Sequence, residues 1–447
     1  MQRLFTRRRF LKTGGTTAAA ALAPSVIPAS VCSALAPSNR INVACIGTGN
    51  QGVQDMRAFL VESDTQVVAV CDVNRGSGGY KTANQFLGRE PARQLVEQFY
   101  ADRKAAGTYR GCDTYADFRE VLARQDVDAV AIMVPDHWHA VMTILAAQAG
   151  KDIYCEKPLS LTVAEGRGMA EAVQRYGVVL QTGSHERSSR QTRFACELVR
   201  NGRIGQLKRI VAVVGPWNKS GPVGNWRPMP VPEGFDYEMW LGPAPWAPYH
   251  KDRCLYNFRF ISDYSDGQVT NYGAHSLDMA QWGIGADLSG PEEVEDAGSQ
   301  WPEDGLFDVA KTVHFRARYA NGVELECITR EDNVACRFEG TEGWVQTGYD
   351  GFFTHPASLK TSLIGAGEIH LGSSTNHVRN FLDCIRTRQQ PAAPVEVGHR
   401  SATFCHIANI AMRLGRKLRW SPEAEQFIGD DGANRMLRRA CRAPWRW

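Results

Sequence analysis

The chain has 447 residues, 43% of them hydrophobic, enough to bury two sizeable cores. Its 51 basic and 48 acidic side chains nearly cancel to a formal charge of +3, so it carries no nucleic-acid footprint. Twelve cysteines are scattered without a C-x-x-C pair or Cys/His ligand spacing, which argues against zinc and for mostly free, buried thiols.

Thr6-Arg7-Arg8-Arg9-Phe10-Leu11-Lys12 resembles the twin-arginine export signal, and a mild apolar run from Ala18 to Ala23 follows it. That run is too short, and too soon broken by Pro24 and Pro28, to be a permanent anchor. Small residues from Ala29 to Ala36 offer cleavage sites, although Pro37 disfavours cleavage after Ala36. Residues 1–36 therefore read as a signal peptide, with a periplasmic or otherwise exported product and no stable membrane anchor. The alternative is a disordered basic arm. The segment holds five basic and no acidic residues, so the remainder is near neutral. A second basic cluster, Arg435, Arg438, Arg439, Arg442 and Arg446, reads as a solvated tail.

Ile41 to Ile46 is an apolar run that enters three glycines, Gly47, Gly49 and Gly52, spaced G-x-G-x-x-G. Val53, Met56, Phe59 and Leu60 then recur at helical spacing, so the glycines mark a strand-to-helix turn. Such a turn presents backbone N–H groups, here including those of Thr48, Asn50 and Gln51, to a pyrophosphate. A second strand, Gln66 to Cys71, ends at Asp72, where a dinucleotide site needs a carboxylate for the adenosine ribose. That carboxylate favours NAD. Arg75 is close enough to meet a 2′-phosphate, so NADP stays open.

Gly76 to Gly79 is a glycine-rich loop, and Pro91 to Ala105 reads as a surface helix inserted in the nucleotide domain. Tyr115 to Leu122 reads as a helix and Val127 to Val134 as a continuously apolar strand of the buried, parallel kind. Pro135 stops that strand, Asp136 can cap the next helix, and His137 to Ala149 continues it. Asp152 to Glu156, a helix Ala164 to Tyr176 and a strand Val178 to Gln181 complete the alternation. Residues 39–184 thus read as an α/β Rossmann domain with a doubly wound parallel sheet.

The second domain, residues 185–447, opens with a helix from Phe194 to Gly202 and a strand from Leu207 to Val214. Pro216 to Tyr264 holds eight of the 21 prolines and four tryptophans. It suits either a substrate wall or plain packing. Strands Ala310 to Phe315, Val323 to Thr329 and Trp344 to Thr347 follow, the first two joined by an Asn321-Gly322 hairpin turn. Helices His377 to Arg388 and Ser401 to Leu414 close an α+β domain with a large, mainly antiparallel open sheet.

Ligands of open α/β sheets bind at the carboxyl ends of the strands. Two strand ends here are polar: Pro135-Asp136-His137-Trp138-His139 and Glu156-Lys157-Pro158. His137 and His139 are two apart, which does not place them on one helix face, and no third ligand is near, so metal binding is not expected. Lys157, fixed by the following proline, is the better candidate for chemistry beside a nicotinamide. In the second domain, Asn271 and Asp278, four before and three after His275, have the spacing to line one helix face with it.

Together, Gly47 to Gly52, Asp72, Glu156-Lys157-Pro158 and the Asn271…His275…Asp278 segment resemble the glucose–fructose oxidoreductase/inositol dehydrogenase/MocA family. The resemblance covers about residues 39–420, and Trp240 to Pro245 and Gly273-Ala274-His275 resemble its exported bacterial members. It implies sugars or polyols as substrates and a homo-oligomer built on the open sheet. It also implies that Lys157 positions the reacting hydroxyl and His275 acts as base, with Asn271, Tyr272 and Asp278 around them. The cofactor would be held by Gly47, Thr48, Gly49, Asn50, Gln51, Gly52, Asp72, Arg75, Pro135, His139, Glu156 and Lys157. One departure stands out. The family usually has aspartate where this chain has Asn271, and asparagine cannot stabilise an imidazolium as a carboxylate would.

Three functions follow as expectations. The first is an NAD(P)-dependent oxidoreductase acting on a sugar or polyol with a tightly held cofactor. Exported proteins meet little free NAD, which is why retention is expected. The second is a glycoside hydrolase that oxidises its sugar transiently on bound NAD. The third, motivated by Asn271, is a non-catalytic sugar- or cofactor-binding protein.

Overall fold

A computed structural model describes residues 39–331 and 334–446; the expected signal peptide lies outside them. From Ile41 onward the chain forms one compact unit organised by two sheets. The first contains β1 (Ile41–Ile46), β2 (Thr65–Cys71), β3 (Asp113–Tyr115), β4 (Ala129–Ile132), β5 (Asp152–Cys155) and β6 (Leu180–Thr182) in the order β3-β2-β1-β4-β5-β6. Every neighbouring pair is parallel. All four residues of β4 and of β5 are buried, because helices cover both faces of the sheet. This is the doubly wound Rossmann order, and it reverses between β1 and β4.

Tyr115 ends β3 rather than starting a helix. Its carbonyl accepts from the Asp72 N–H at 3.1 Å, and the helix begins at Phe118 with Asp117 as its cap. Asp136 likewise does not cap. Pro135 takes that position, and Asp136 becomes the first residue of the helix Asp136–Gln148. The helix Val163–Tyr176 starts with a complete capping box from Thr162 and Glu165, worth about 1 kcal/mol or more.

The second sheet contains β7 (Leu207–Val214), β8 (Glu293–Asp296), β9 (His314–Arg318), β10 (Glu324–Thr329), β11 (Ala335–Gly340), β12 (Trp344–Gly348), β13 (Phe353–His355), β14 (Leu418–Ser421) and β15 (Gln426–Phe427). Its order is β13-β12-β11-β7-β10-β9-β8-β14-β15. Only β7 and β10 run parallel among the described strands; the other neighbours are antiparallel. The hairpin between β9 and β10 turns at Gly322, whose φ of 81° favours glycine. β9 starts at His314, later than Ala310, because the preceding residues bridge to Gln300 instead.

Helices Arg190–Arg200, Gly273–Ile284 and Val395–Leu414 cover one face of this sheet and share its largest apolar core. The helix His377–Thr387 returns to the first sheet, where Phe381 meets Phe59 and Tyr154 with ring centroids 6.3 and 5.9 Å apart. The tail does the same, with Trp445 lying 4.6 Å from Trp138.

The proline-rich segment 216–264 takes the packing role. Tyr237, Trp240, Tyr249, Phe260 and Tyr264 build an apolar cluster of their own. The segment also joins the nucleotide domain through Arg75 N–H to Gly234 O at 2.8 Å and Asp236 N–H to Val73 O at 3.1 Å. Among the described residues ten cysteines are free and buried. Among the described residues no helix is long and apolar enough to cross a membrane.

Candidate functional site

A cavity of about 560 Å³ opens at the switch point between β1 and β4 and runs to the second sheet. At its first end the chain leaves β1 through Gly47, whose φ of +89° and contact with the Met133 carbonyl leave no room for a side chain. A Cβ on Gly52 would collide with the Gly47 carbonyl, and one on Gly49 would meet the Tyr80 ring at 3.0 Å. The helix Asn50–Leu60 then starts with no side-chain cap on its N–H groups. This is a cradle for phosphate oxygens.

Asp72 lines the same end. Its carboxylate accepts from the Thr48 N–H (2.7 Å), the Thr48 hydroxyl (3.1 Å) and the Asn74 N–H (2.8 Å). Thr48 is thus a support for Asp72, not a cavity wall. Arg75 does not line the cavity; its backbone is tied to Gly234 and Glu90. The narrow glycine turn and the ribose-side carboxylate fit a dinucleotide.

At the other end, Glu156-Lys157-Pro158 follows β5. The Lys157 ammonium donates to the backbone oxygen of Asn271 at 2.8 Å and to its side-chain oxygen at 3.2 Å. Asn271 Nδ2 in turn donates to Gln268 Oε1 at 3.0 Å, which orients the amide. Burial pushes the Lys157 pKa down and Arg259 adds to this, against the pull of Glu156 and Asp136.

Tyr272 separates the helices Gln268–Asn271 and Gly273–Ile284 and lines the cavity. His275 follows in the first turn of the longer helix, 5.6 Å from the ring of Tyr349. It too lines the cavity, and its Nδ1 is buried without a partner. Burial, then the Lys157, His185 and His377 charges, push its pKa well down, so the ring is neutral at pH 7.

Two expected site residues sit elsewhere. Asp278, one turn beyond His275, faces a buried arginine: Arg187 Nε reaches its two oxygens at 2.9 and 3.0 Å, and Ser401 donates at 2.6 Å. It does not line the cavity. His139 is also enclosed, with Nδ1 2.7 Å from Pro158 O and Nε2 2.9 Å from Val134 O. Two carbonyl partners require both nitrogens to donate. Burial opposes that charge, but the Cys155 sulfur, Asp136 and the Pro158 carbonyl push the pKa up to about 10. His139 therefore pins two strand ends together behind the cavity. Pro135, Asn50 and Gln51 line the wall itself.

Sequence reasoning missed His185, Tyr349 and Arg259, which also line the cavity. His185 follows β6, so the strand-end rule would have found it. Its Nε2 lies 3.0 Å from the Tyr154 hydroxyl and 3.3 Å from Glu156 Oε1. Burial lowers its pKa, but Glu156 and Asp55 outweigh this and raise it. Asp55, Glu156 and His185 have potential ligand atoms within 4.8 Å of one another. Tyr349 had no such signal, because it follows β12 on the other sheet.

Family models match both parts of the chain. The NAD-binding Rossmann fold of the Gfo/Idh/MocA oxidoreductase family matches residues 41–184, and the C-terminal alpha/beta domain of that family matches residues 198–447. The protein belongs to this family, and its first domain is an NAD-binding one. It is 29% identical over 216 residues to an alpha-N-acetylgalactosaminidase of Shewanella oneidensis, covering 45% of this chain and 44% of that protein. It is 24% identical over 187 residues to a 2,7-anhydro-N-acetylneuraminate hydratase of Mediterraneibacter gnavus, covering 42% and 43%. These alignments thus span less than half the length of the curated relatives. In fold it resembles the aldose-aldose oxidoreductase of Caulobacter crescentus (TM-score 0.59, 20% identity, covering 85% of this chain and 99% of that one). Levoglucosan dehydrogenase with NADH and levoglucosan gives a TM-score of 0.59 at 19% identity, covering 85% and 99%.

Proposed function

We propose that the protein is an NAD-dependent oxidoreductase that acts on a hydroxyl of a sugar or polyol and retains its dinucleotide between turnovers. The observation that carries this reading is the meeting of Lys157 and His275, from different domains, in the cavity that holds the glycine cradle and Asp72. A bound dinucleotide would supply a reversible two-electron acceptor. The protein's part is to place the hydroxyl and move its proton. Lys157 uses N–H bonds on Asn271 to hold its ammonium in place and offers its remaining donor to the sugar oxygen, which lowers that hydroxyl's pKa. His275, neutral at pH 7, accepts the proton. Asn271 fixes Lys157 without adding charge, so the ammonium stays available to the substrate oxygen.

A second reading, glycoside cleavage by transient oxidation, is favoured by the number of protonatable groups lining this end of the cavity. Oxidation alone needs one proton acceptor. Elimination and addition need further acids and bases, and His185, Tyr272 and Tyr349 stand beside Lys157 and His275. The likeness to an alpha-N-acetylgalactosaminidase points the same way.

Export through the twin-arginine route remains part of the proposal, supported by Arg7, Arg8 and Arg9. So does assembly through the nine-stranded sheet, supported by that sheet's open outer face. Fusing residues 1–40 to a reporter that folds before transport tests the first; light scattering tests the second. For the chemistry, sugars and glycosides are added to purified protein while the absorbance of the bound nicotinamide is followed. Lasting reduction supports the oxidoreductase. Aglycone release without net reduction supports the hydrolase. Silence across the panel returns the protein to a binding role.

A further inference from the structure

We propose that the substrate is a sugar acid, a hexuronate or close relative, whose carboxylate is bound by Arg259. The inference rests on the oxidoreductase reading and names the substrate of that same site.

Arg259 belongs to the short turn Asn257–Phe260 and lines the cavity. Its guanidinium carbon lies 4.5 Å from the ring centroid of Tyr256 and 4.6 Å from that of Phe258. One nitrogen, Nη1, donates to the Tyr256 carbonyl at 2.9 Å. Among the described residues it forms no ion pair. Arginines in proteins are usually matched by a carboxylate or turned to bulk water. This one is partly buried, stacked on two aromatic rings and left with free donors.

The turn that carries Arg259 packs against the helix Gln268–Asn271, whose last residue holds Lys157 at the catalytic end. Lys157, Asp136 and Tyr272 feel its charge there. The cation bearing on Asp72, at the ribose end, is Arg89.

Among the described residues, no acidic group lining the cavity forms an ion pair with Arg259. Glu156 is engaged by His185, and Glu331 is exposed. Lys157 and Arg259 thus present two cations at the end where a sugar must sit.

A planar carboxylate matches the arginine fork with two parallel N–H···O bonds. A phosphate would bring a charge of about −2 and three acceptor oxygens, of which one fork takes two, leaving the third oxygen and the extra charge for further donors.

The test uses protein with its cofactor bound and compares D-glucuronate and D-galacturonate with glucose, galactose and glucose 6-phosphate. In single turnover, the hexuronates should reduce the bound nicotinamide at least about tenfold faster than the matching hexoses at equal concentration. Arg259→Gln should lower the hexuronate-to-hexose ratio by about 30-fold. Arg259→Lys, which keeps charge but loses the fork, should recover only part of it. Equal treatment of acids and hexoses, or a preference for the phosphate ester, would overturn the inference while leaving the oxidoreductase reading intact. A loss of NAD affinity in Arg259→Gln as large as the loss of hexuronate turnover would also overturn it, by assigning Arg259 to the cofactor. If no sugar reduces the nicotinamide, the broader reading fails. Calorimetric titration with glucuronate then decides separately, and absence of binding overturns this inference too.

Discussion

At one end of the cavity, the polar wall comes from one sheet and from neighbouring stretches of chain: the turn after β1 and Asp72 after β2. At the other end, Lys157 follows β5, His185 follows β6, Asn271 and His275 come from helices of the second domain, and Tyr349 comes from its sheet. The first end is fixed by backbone sterics. Gly47 and Gly52 admit no Cβ, and three donors already hold Asp72. The second end is fixed by side chains reaching across domains, above all by Lys157 on Asn271. A binding site can be rigid within one motif, whereas a site that moves a proton here is assembled from parts far apart in sequence.

Breaking the cross-domain end should have the largest effect. His275→Gln is expected to lower turnover by about 10² to 10⁴ while NAD still binds, because a positioned proton acceptor is lost. Steady-state kinetics beside a cofactor titration measures this. Because burial holds the His275 pKa low, turnover should not fall at the usual histidine pKa of about 6.5 but only at lower pH.

Asp278 sharpens the contrast, being three residues from His275 yet bound to Arg187. Asp278→Ala is expected to cost roughly 3 kcal/mol of stability by leaving a buried arginine with Asp287 as its one carboxylate among the described residues. Denaturant unfolding would show it; any activity change should follow from the lost stability.

At the dinucleotide end, Asp72→Ala should weaken NAD by about ten- to a hundredfold, the worth of a charged hydrogen bond. It should also narrow the preference for NAD over NADP. Equal affinities for the two cofactors in both proteins would remove Asp72 from the ribose.

The smallest effect on turnover belongs to His139, which acts on stability. Its folded pKa, pushed up to about 10, lies above the unfolded value of about 6.5. Its contribution is therefore fully present below pH ~6.5 and lost as pH rises toward 10. The stability gap between wild type and His139→Gln should narrow steadily as pH rises across that window. A gap that widens with pH would show that the ring is neutral.

The first sheet was largely legible because β1, β2 and β4 carry apolar runs flanked by helical patterns, whereas β3, which reads Asp-Thr-Tyr, was mistaken for helix. The second was only half legible. β8 reads Glu-Val-Glu-Asp and β11 reads Ala-Cys-Arg-Phe-Glu-Gly, too few apolar positions to show period two against their loops. Lys157 and His275 stood out through short motifs, and their meeting in one cavity did not follow from spacing. His139 and Asp278 shared those motifs yet turned away from the cavity, since a motif fixes the backbone and not which face meets solvent. Arg259 left no pattern at all. Its meaning lies in lacking a carboxylate partner among the described residues, which only the packed molecule shows.

The central claim is that Lys157, held on Asn271, places and activates the substrate hydroxyl. Single-turnover mixing of cofactor-loaded protein with its sugar, in wild type and Lys157→Ala, tests it most directly. The expected result is a rate of nicotinamide reduction about 10² to 10⁴ lower in the variant, with NAD affinity little changed. Equal rates in the two proteins would contradict it.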